Sequence, residues 1–298
     1  MVEMEEAFKL NVLNALFSAV ASTLLYRLNK RFNVLIDGNT STGVMIGAFC
    51  GALLFAFHPI VWEFSLSWEV FSLNHVICVL LLDSMVCSFI DPNNRKFVKF
   101  GAFLCGLGMT NQHTIVLFAV PLVICVILNQ RINGSVSFTH IVVYGLYCIA
   151  GLIPLTQTYF SCIWVDSPVS WGKTDTLVGL LWHLVRGDYG SFRLYPGDDT
   201  SGTHMIERMT VYFEELFEKA IPSSFCGWAA LGAALFCLFE EPVEDESIKY
   251  GPKVKGGVRK KVAAKKQKVS MFVSMSLLCT FFFYIFVFNY LSNMPLIK

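Results

Sequence analysis

The sequence has 298 residues, of which 55% are hydrophobic and only 15% are charged. Soluble domains carry about 25% charged residues, and here the apolar residues stand in long blocks instead of recurring with the period of a soluble core. This pattern excludes a soluble secreted domain, a disordered chain and a nucleic-acid-binding protein, and the net charge of +1 decides nothing by itself. The composition predicts a multi-span membrane protein.

Apolar blocks long enough to cross a membrane recur along the whole chain. A spanning helix requires about 20 mostly apolar residues. The block at 97–129 is too long for one span and is interrupted by the polar run Thr110-Asn-Gln-His-Thr114, so we interpret it as two short helices that meet at a polar break. The prediction is an all-α bundle of about eight spans, at 11–28, 43–62, 70–90, 97–110, 114–129, 138–160, 222–239 and 270–292.

The distribution of basic residues predicts how the chain is threaded. Lys and Arg accumulate in cytosolic loops, and here they follow the first, third and fifth predicted spans and precede the last one. The alternate connections at 63–69 and 111–114 contain none. One membrane topology agrees with this distribution of basic residues, and it places the acidic N-terminus on the side opposite the cytosol. It places the glycosylation sequons at Asn39 and Asn133 in the cytosol, where we expect neither to be glycosylated.

Two of the connections between predicted spans are long enough for their structure to be predicted separately. The lumenal loop at 164–221 contains an apolar stripe (Leu177, Leu180, Leu181 and Leu184) and a second amphipathic stretch at 205–216. Both patterns predict helices lying on the membrane surface, and helices that only cover the bundle remain an alternative. The loop at 240–269 changes from acidic to basic without a hydrophobic period, so we predict a disordered cytosolic segment.

Ionisable residues at membrane depth are costly and therefore indicate function by default. Glu69 stands at the outer end of a span, and the break containing His113 reaches the same level, so a carboxylate and hydrogen-bond donors converge there. This convergence indicates a binding or catalytic site, and an interhelical hydrogen-bond network is the alternative. Asp83 has no evident partner in the sequence, so we expect it to form a structural hydrogen bond. His58 is expected to cap a helix end.

Three stretches together resemble a known family. They are Glu69-Val-Phe-Ser-Leu-Asn74, the run from Gly101 to Thr114, and Trp171-Gly172 followed by His183, Arg186 and Tyr189. They resemble the multi-span protein O-mannosyltransferases of the endoplasmic reticulum that modify IPT domains of plexins and of the hepatocyte growth factor receptor family. The resemblance implies a GT-C glycosyltransferase fold in the endoplasmic reticulum membrane. It also implies transfer of mannose from dolichyl phosphate mannose to Ser or Thr of lumenal, IPT-like domains, with no cofactor and no nucleic-acid partner.

The resemblance also implies roles for individual residues. Glu69 would be the second acidic residue of the catalytic site. Asn111, Gln112, His113 and Arg186 would bind the phosphate or the sugar of the donor. Asn74, Trp171, Gly172, His183 and Tyr189 would shape the site. We predict no metal site, because the sequence shows no His/Cys cluster at metal-ligand spacing.

The sequence departs from the family pattern at three places. The family begins with a further span and a lumenal loop whose Gly-Asp motif supplies the expected general base, and it continues beyond residue 298. Lys173 stands where the family has an aspartate. From these departures we expect an N- and C-terminally incomplete chain that lacks the family's general base. The alternative function is a non-catalytic membrane protein that retains the lipid-donor cleft or acts as a scaffold. A transporter ranks last, because neither an internal repeat nor midplane charges are present.

Overall fold

A computed structural model describes residues 2–37, 42–164, 174–185, 187, 205–218 and 256–291. Every regular element within these residues is helical, so the predicted all-α fold is confirmed. The helices are α1 (Val2–Asp37), α2 (Thr42–Ala56), α3 (Pro59–Ser65), α4 (Phe71–Ile90), α5 (Arg95–Asn111), α6 (Ile115–Ile132), α7 (Phe138–Gly151), α8 (Thr156–Trp164), α9 (Leu177–Leu184), α10 (Met205–Glu218) and α11 (Gly256–Leu291), with a 3₁₀ turn at Ile153–Leu155.

Five helical segments of the described chain are long and apolar enough to cross a membrane. They are Glu5–Leu35, Phe71–Ile90, Ile115–Ile132, Phe138–Trp164 and Val269–Phe288. A sixth span is present if α2 and α3, which are bent by 62° relative to each other, form one broken span. The 17 residues of α5 extend about 25 Å, slightly less than the hydrocarbon core of a bilayer. The described residues therefore give five or six spans, and the predicted count of eight is not confirmed.

Helix α4 is the centre of the bundle. It packs against α1, α5, α6 and α11, and its side chains Ile77, Met85 and Phe89 are at most 2% exposed. Leu104 of α5 and Val273 of α11 complete the same apolar core. Because α4 contacts four other long helices, it brings together residues that are distant in sequence.

The helices place two chemically different ends on the bundle. Asn111 at the end of α5 bonds to Val70 at the start of α4, so these helices are antiparallel. The other end of α4 carries Asp83, and Phe89 nearby contacts Phe272 of α11, with ring centroids 6.5 Å apart. We refer to the end that contains residues 63–70 and 111–114 as the Glu69 end. The opposite end, with residues 83–95 and 131–137, is the Asp83 end.

Helix α6 ends at the Asp83 end through a glycine in the left-handed region. Gly134 has a φ of 66°, which side chains with a Cβ rarely adopt. This conformation lets the N–H of Ser135 donate to the carbonyl of Gln130 (2.9 Å) and the N–H of Gly134 to that of Arg131 (3.1 Å), the pattern of a Schellman motif. Arg95 Nη2 then donates to the Ser135 carbonyl (3.4 Å), which holds the start of α5 beside the end of α6.

Helices α5 and α7 cross at two glycines. A Cβ on Gly106 would lie 3.0 Å from the Cα of Gly151, and a Cβ on Gly151 would lie 2.7 Å from the backbone nitrogen of Leu107. Small residues at such a crossing allow two membrane helices to approach closely. The contact fixes the axis of α5 and therefore the position of both of its ends.

Asp83 has two partners that the sequence did not reveal. Arg27 Nη2 lies 3.2 Å from Asp83 Oδ2, and Arg31 contacts Asp83 Oδ1. Arg31 also donates to Cys87 Sγ at 2.7 Å. The expected structural hydrogen bond of Asp83 is present, and its donors are two arginines, because α1 lies alongside α4 and brings both to the same carboxylate.

Two helices are longer than their predicted spans. Helix α1 is continuous over 36 residues, although the apolar block covers only 11–28. Helix α11 begins at Gly256, whereas the sequence predicted a disordered segment up to residue 269. Val262-Ala-Ala-Lys-Lys-Gln-Lys268 contains mostly residues with high helix propensity, and the adjoining span provides the nucleus from which such a helix extends.

Two helices, α9 and α10, occupy the predicted positions in the loop after α8. Leu177 and Val178 of α9 are 70% and 76% exposed. Residues 222–239 and 240–255, for which a span and most of the disordered loop were predicted, lie outside the described residues.

Candidate functional site

The connection between α3 and α4 carries Glu69. Helix α3 ends at Ser65 and α4 begins at Phe71, so Glu69 stands in a non-helical segment. Its side chain is exposed. No cation of the described residues forms an ion pair with it. A carboxylate in this setting is free to accept a proton or a hydrogen bond from a ligand.

The break between α5 and α6 lies beside this connection. Gln112 has extended backbone (φ −150°, ψ 116°) and ends α5, and α6 restarts at Ile115 with the Ile115 N–H donating to the Gln112 carbonyl (3.1 Å). Asn111 Nδ2 donates to the carbonyl of Val70 at 2.9 Å. This hydrogen bond joins the break to the residue that directly follows Glu69.

His113 in the break contacts a histidine from a distant part of the chain. The ring centroids of His113 and His183 are 6.1 Å apart, and the ring planes are at 82°. His183 is held on α9, whose first turn is capped by Thr176 Oγ1 accepting from the Gly179 N–H (3.0 Å). The edge-to-face ring contact brings a third segment to the Glu69 end.

Buried polar atoms at the Glu69 end lack hydrogen-bond partners within the described part of the chain. They include Asn74 Oδ1, in the first turn of α4, and Gln112 Oε1, in the break. Buried polar groups are nearly always hydrogen-bonded in folded proteins. These two acceptors therefore have capacity for hydroxyl or N–H donors from a bound molecule or from water.

The structure thus brings together some of the residues singled out in the sequence and leaves others undescribed. Asn111 lies against the Glu69 connection and His113 against His183, while Asn74 follows in α4. Trp171, Gly172, Arg186 and Tyr189 lie outside the described residues. Their predicted roles stay predictions.

Sequence reasoning missed Asn14, which reaches the same connection from α1. Its Nδ2 donates to the Phe64 carbonyl (2.7 Å) and to the Ser67 carbonyl. An asparagine in an otherwise apolar block, followed by Ser18 one helical turn later, was the available signal.

The set of side chains at the Glu69 end determines what it can do chemically. It offers one carboxylate, amide groups and two imidazoles, which suit proton acceptance and the recognition of an oxygen-rich ligand. The described residues contain no cluster of three or more His, Cys, Asp or Glu side chains that could hold a metal ion.

Comparison with known proteins gives the same family from two directions. Residues 2–135 match the model of the protein O-mannosyl-transferase TMEM260 N-terminal domain. Mouse protein O-mannosyl-transferase TMEM260 is 31% identical over 192 residues, which cover 63% of this chain and 26% of the mouse protein. The Dictyostelium discoideum protein O-mannosyl-transferase tmem260 is 27% identical over 225 residues, which cover 70% of this chain and 26% of that protein.

The chain therefore spans about a quarter of the length of these relatives. No solved structure matches it significantly. Glu69 and the break at 111–114 both lie inside the matched residues 2–135, which agrees with the resemblance found in the sequence. Residues 2–135 are thus similar to the protein O-mannosyl-transferase TMEM260 N-terminal domain, and the chain resembles these two relatives over the aligned stretches.

Proposed function

We propose that this protein acts in protein O-mannosylation, in the membrane of the endoplasmic reticulum. In this proposal mannose passes from dolichyl phosphate mannose to a Ser or Thr hydroxyl of a lumenal, IPT-like domain. The observation that carries the proposal is the meeting of Glu69, a carboxylate without an ion pair among the described residues, with a polar break between two helices, inside residues 2–135 that match the TMEM260 N-terminal domain. Non-helical backbone at membrane depth is tolerated where it lines a cavity, as a lipid-linked donor requires.

The chemistry of the proposed reaction defines what the residues contribute. The acceptor oxygen forms a bond to C1 of mannose, the bond between C1 and the phosphate oxygen breaks, and dolichyl phosphate leaves. The hydroxyl proton goes to a carboxylate. The resemblance gives this role to the aspartate of a Gly-Asp motif from which the sequence departs, and we assign it here to Glu69, the exposed carboxylate beside the polar break. Amide and imidazole N–H groups of Gln112 and His113 stabilise the negative charge of the leaving phosphate. The reaction needs no cofactor, and we assign no metal.

The fold is consistent with a GT-C glycosyltransferase in being a helical membrane bundle with a break between two helices at one end. We propose that the Glu69 end faces the lumen, since the connections at that end, 63–69 and 111–114, contain no Lys or Arg. Arg186 is proposed as a second phosphate partner, because its planar guanidinium offers paired donors to phosphate oxygens. Trp171, Gly172 and Tyr189 complete the proposed wall of the site around His183.

Replacement of Glu69 in the protein expressed from its own gene tests the proposal. Microsomes from wild-type cells, from cells edited to Glu69→Gln and from cells lacking the gene receive dolichyl phosphate carrying tritiated mannose. We expect Glu69→Gln to reduce gene-dependent mannose transfer to protein by about 10²-fold or more.

Glu63→Gln is the matched control. Glu63 is also exposed and lies at the same end, but on α3, so its replacement should leave transfer within about twofold of wild type. Gene-dependent transfer that is unchanged in Glu69→Gln would contradict the assignment of the carboxylate. Absence of any gene-dependent transfer would contradict the proposed function itself.

A further inference from the structure

Two asparagine side chains from different helices hold the connection that contains Glu69. Asn14 of α1 donates from Nδ2 to the carbonyls of Phe64 (2.7 Å) and Ser67. Asn111 of α5 donates from Nδ2 to the carbonyl of Val70 (2.9 Å). The bonded carbonyls of Ser67 and Val70 stand on either side of Glu69 in the chain. The backbone of the carboxylate is therefore fixed from both directions.

The position of Asn14 indicates a specific requirement for its amide. The residue is 1% exposed, and burying an amide in an apolar helix costs free energy unless it is hydrogen-bonded. The Phe64 carbonyl belongs to the last turn of α3, where carbonyls have no partner within the helix. Asn14 supplies that partner and, with the same nitrogen, continues to Ser67. An apolar residue would pack at this place but would leave both carbonyls without this donor.

We propose that Asn14 is a positioning residue for the Glu69 carboxylate, a role that rests on the proposed function. By holding the Ser67 carbonyl, Asn14 fixes where the chain leaves α3 and hence where Glu69 presents its side chain. Misplacement of a reacting group by about 1 Å can cost 10²-fold in rate. Loss of the Asn14 amide should therefore lower the turnover number of mannose transfer far more than it changes donor binding.

Ser18 provides a matched control on the same helix. It lies one turn after Asn14, is 8% exposed, and its hydroxyl lies 3.0 Å from the Ser72 hydroxyl of α4. Ser18→Ala removes a buried hydrogen bond between α1 and α4 but does not touch the connection at 66–70. A general weakening of the α1–α4 contact is thereby separated from a specific effect on Glu69.

The first measurement is amide hydrogen exchange followed by mass spectrometry, on the full protein in lipid nanodiscs. Asn14→Leu retains the approximate volume and removes the donor. Exchange at residues 62–66, where the Trp62 and Leu66 N–H groups donate to the carbonyls of His58 and Glu63 (2.8 and 3.2 Å), should therefore rise at least tenfold, while Ser18→Ala leaves it unchanged. Asn14→Thr retains one donor in a smaller side chain and should give an intermediate rise. It serves as the test variant if Asn14→Leu does not fold.

The second measurement is the kinetics of mannose transfer with the same variants. We expect Asn14→Leu to lower kcat by about 10²-fold with the donor KM within about twofold of wild type, and Asn14→Thr to lower it less. Ser18→Ala should stay within about twofold in both constants. A purely structural role would instead lower the amount of folded protein and leave kcat per folded molecule unchanged.

The outcomes separate this inference from the proposed function. Unchanged exchange at residues 62–66 in both Asn14 variants would contradict the anchoring of the connection by Asn14, whether or not the protein transfers mannose. Faster exchange with an unchanged kcat would overturn the positioning role while transfer itself stands. If the wild-type protein transfers no mannose, the proposed function fails and the positioning role fails with it. Faster exchange together with the loss in kcat, absent from Ser18→Ala, supports the inference.

Discussion

The two ends of α4 hold an acidic residue in opposite ways. Asp83 is 14% exposed and lies between Arg27 and Arg31, so its charge is neutralised by the protein. Glu69 is exposed and forms no ion pair within the described residues, and only the backbone on either side of it is held, by the neutral amides of Asn14 and Asn111. A carboxylate already paired with two arginines contributes to structure. One that is supported but left unpaired remains available to a ligand.

Measuring stability and activity on the same variants tests this difference directly. Changes at the Asp83 end should lower stability, and changes at the Glu69 end should lower activity. Perturbed or unpaired ionisable groups in a polar site indicate function, whereas satisfied ion pairs often do not. The two ends are connected through α5, which begins beside the Asp83 end and finishes at Asn111. A change in the middle of α5 should therefore disturb both.

The largest effect is expected from Gly106→Ala at the crossing of α5 and α7. The new methyl carbon would lie 3.0 Å from the Gly151 Cα and would overlap the Cys148 carbonyl, so the helices must separate. We expect a loss of about 3 kcal/mol in the free energy of unfolding, measured by denaturation in detergent micelles, together with reduced mannose transfer. Gly145→Ala is the control, since nothing lies within 4 Å of its Cβ position. An equally stable Gly106→Ala protein would contradict the close crossing.

Asp83→Asn and Glu69→Gln should give opposite results. Breaking a buried ion pair by removing one partner costs about 3–5 kcal/mol. Arg31 and Arg27 are 31% and 60% exposed, so solvent screening reduces the expected loss for Asp83→Asn to about 2 kcal/mol. Glu69→Gln at an exposed position should change the free energy of unfolding by less than about 0.5 kcal/mol.

Mannose transfer by the same two proteins completes this test. Transfer per folded molecule should stay within about twofold of wild type in Asp83→Asn and should be lost in Glu69→Gln. If Asp83→Asn abolished transfer without destabilising the protein, or if Glu69→Gln unfolded it, the assignment of structure to one end and chemistry to the other would be wrong.

Local patterns in the sequence were sufficient for the helical class and for the polar break at 111–114, because both depend on runs of adjacent residues. The partners of Asp83 and the reach of Asn14 to Ser67 were not predictable in this way. They join residues 52 to 56 positions apart, and only the packing of α1 against α4 brings them together. The absence of a hydrophobic period does not reveal the helical start of α11, whose Lys, Ala and Gln residues form helices well without one.

The remaining prediction concerns which end of the bundle faces the lumen. The substitution that tests it should leave the free energy of unfolding unchanged. Asp198→Asn creates the sequon Asn-Asp-Thr200, which follows α9 in the sequence, and the contact of His183 with His113 places α9 at the Glu69 end. We expect one glycosidase-sensitive mass shift in Asp198→Asn and none in Asp198→Gln.

The native sequon at Asn133 lies at the Asp83 end, where the Asn133 amide donates to the Asn129 carbonyl (2.7 Å), and it should carry no glycan. A glycan at Asn133 would place the Asp83 end in the lumen. Glu69 would then face the cytosol, away from the lumenal acceptor, and the proposed reaction could not take place at that end.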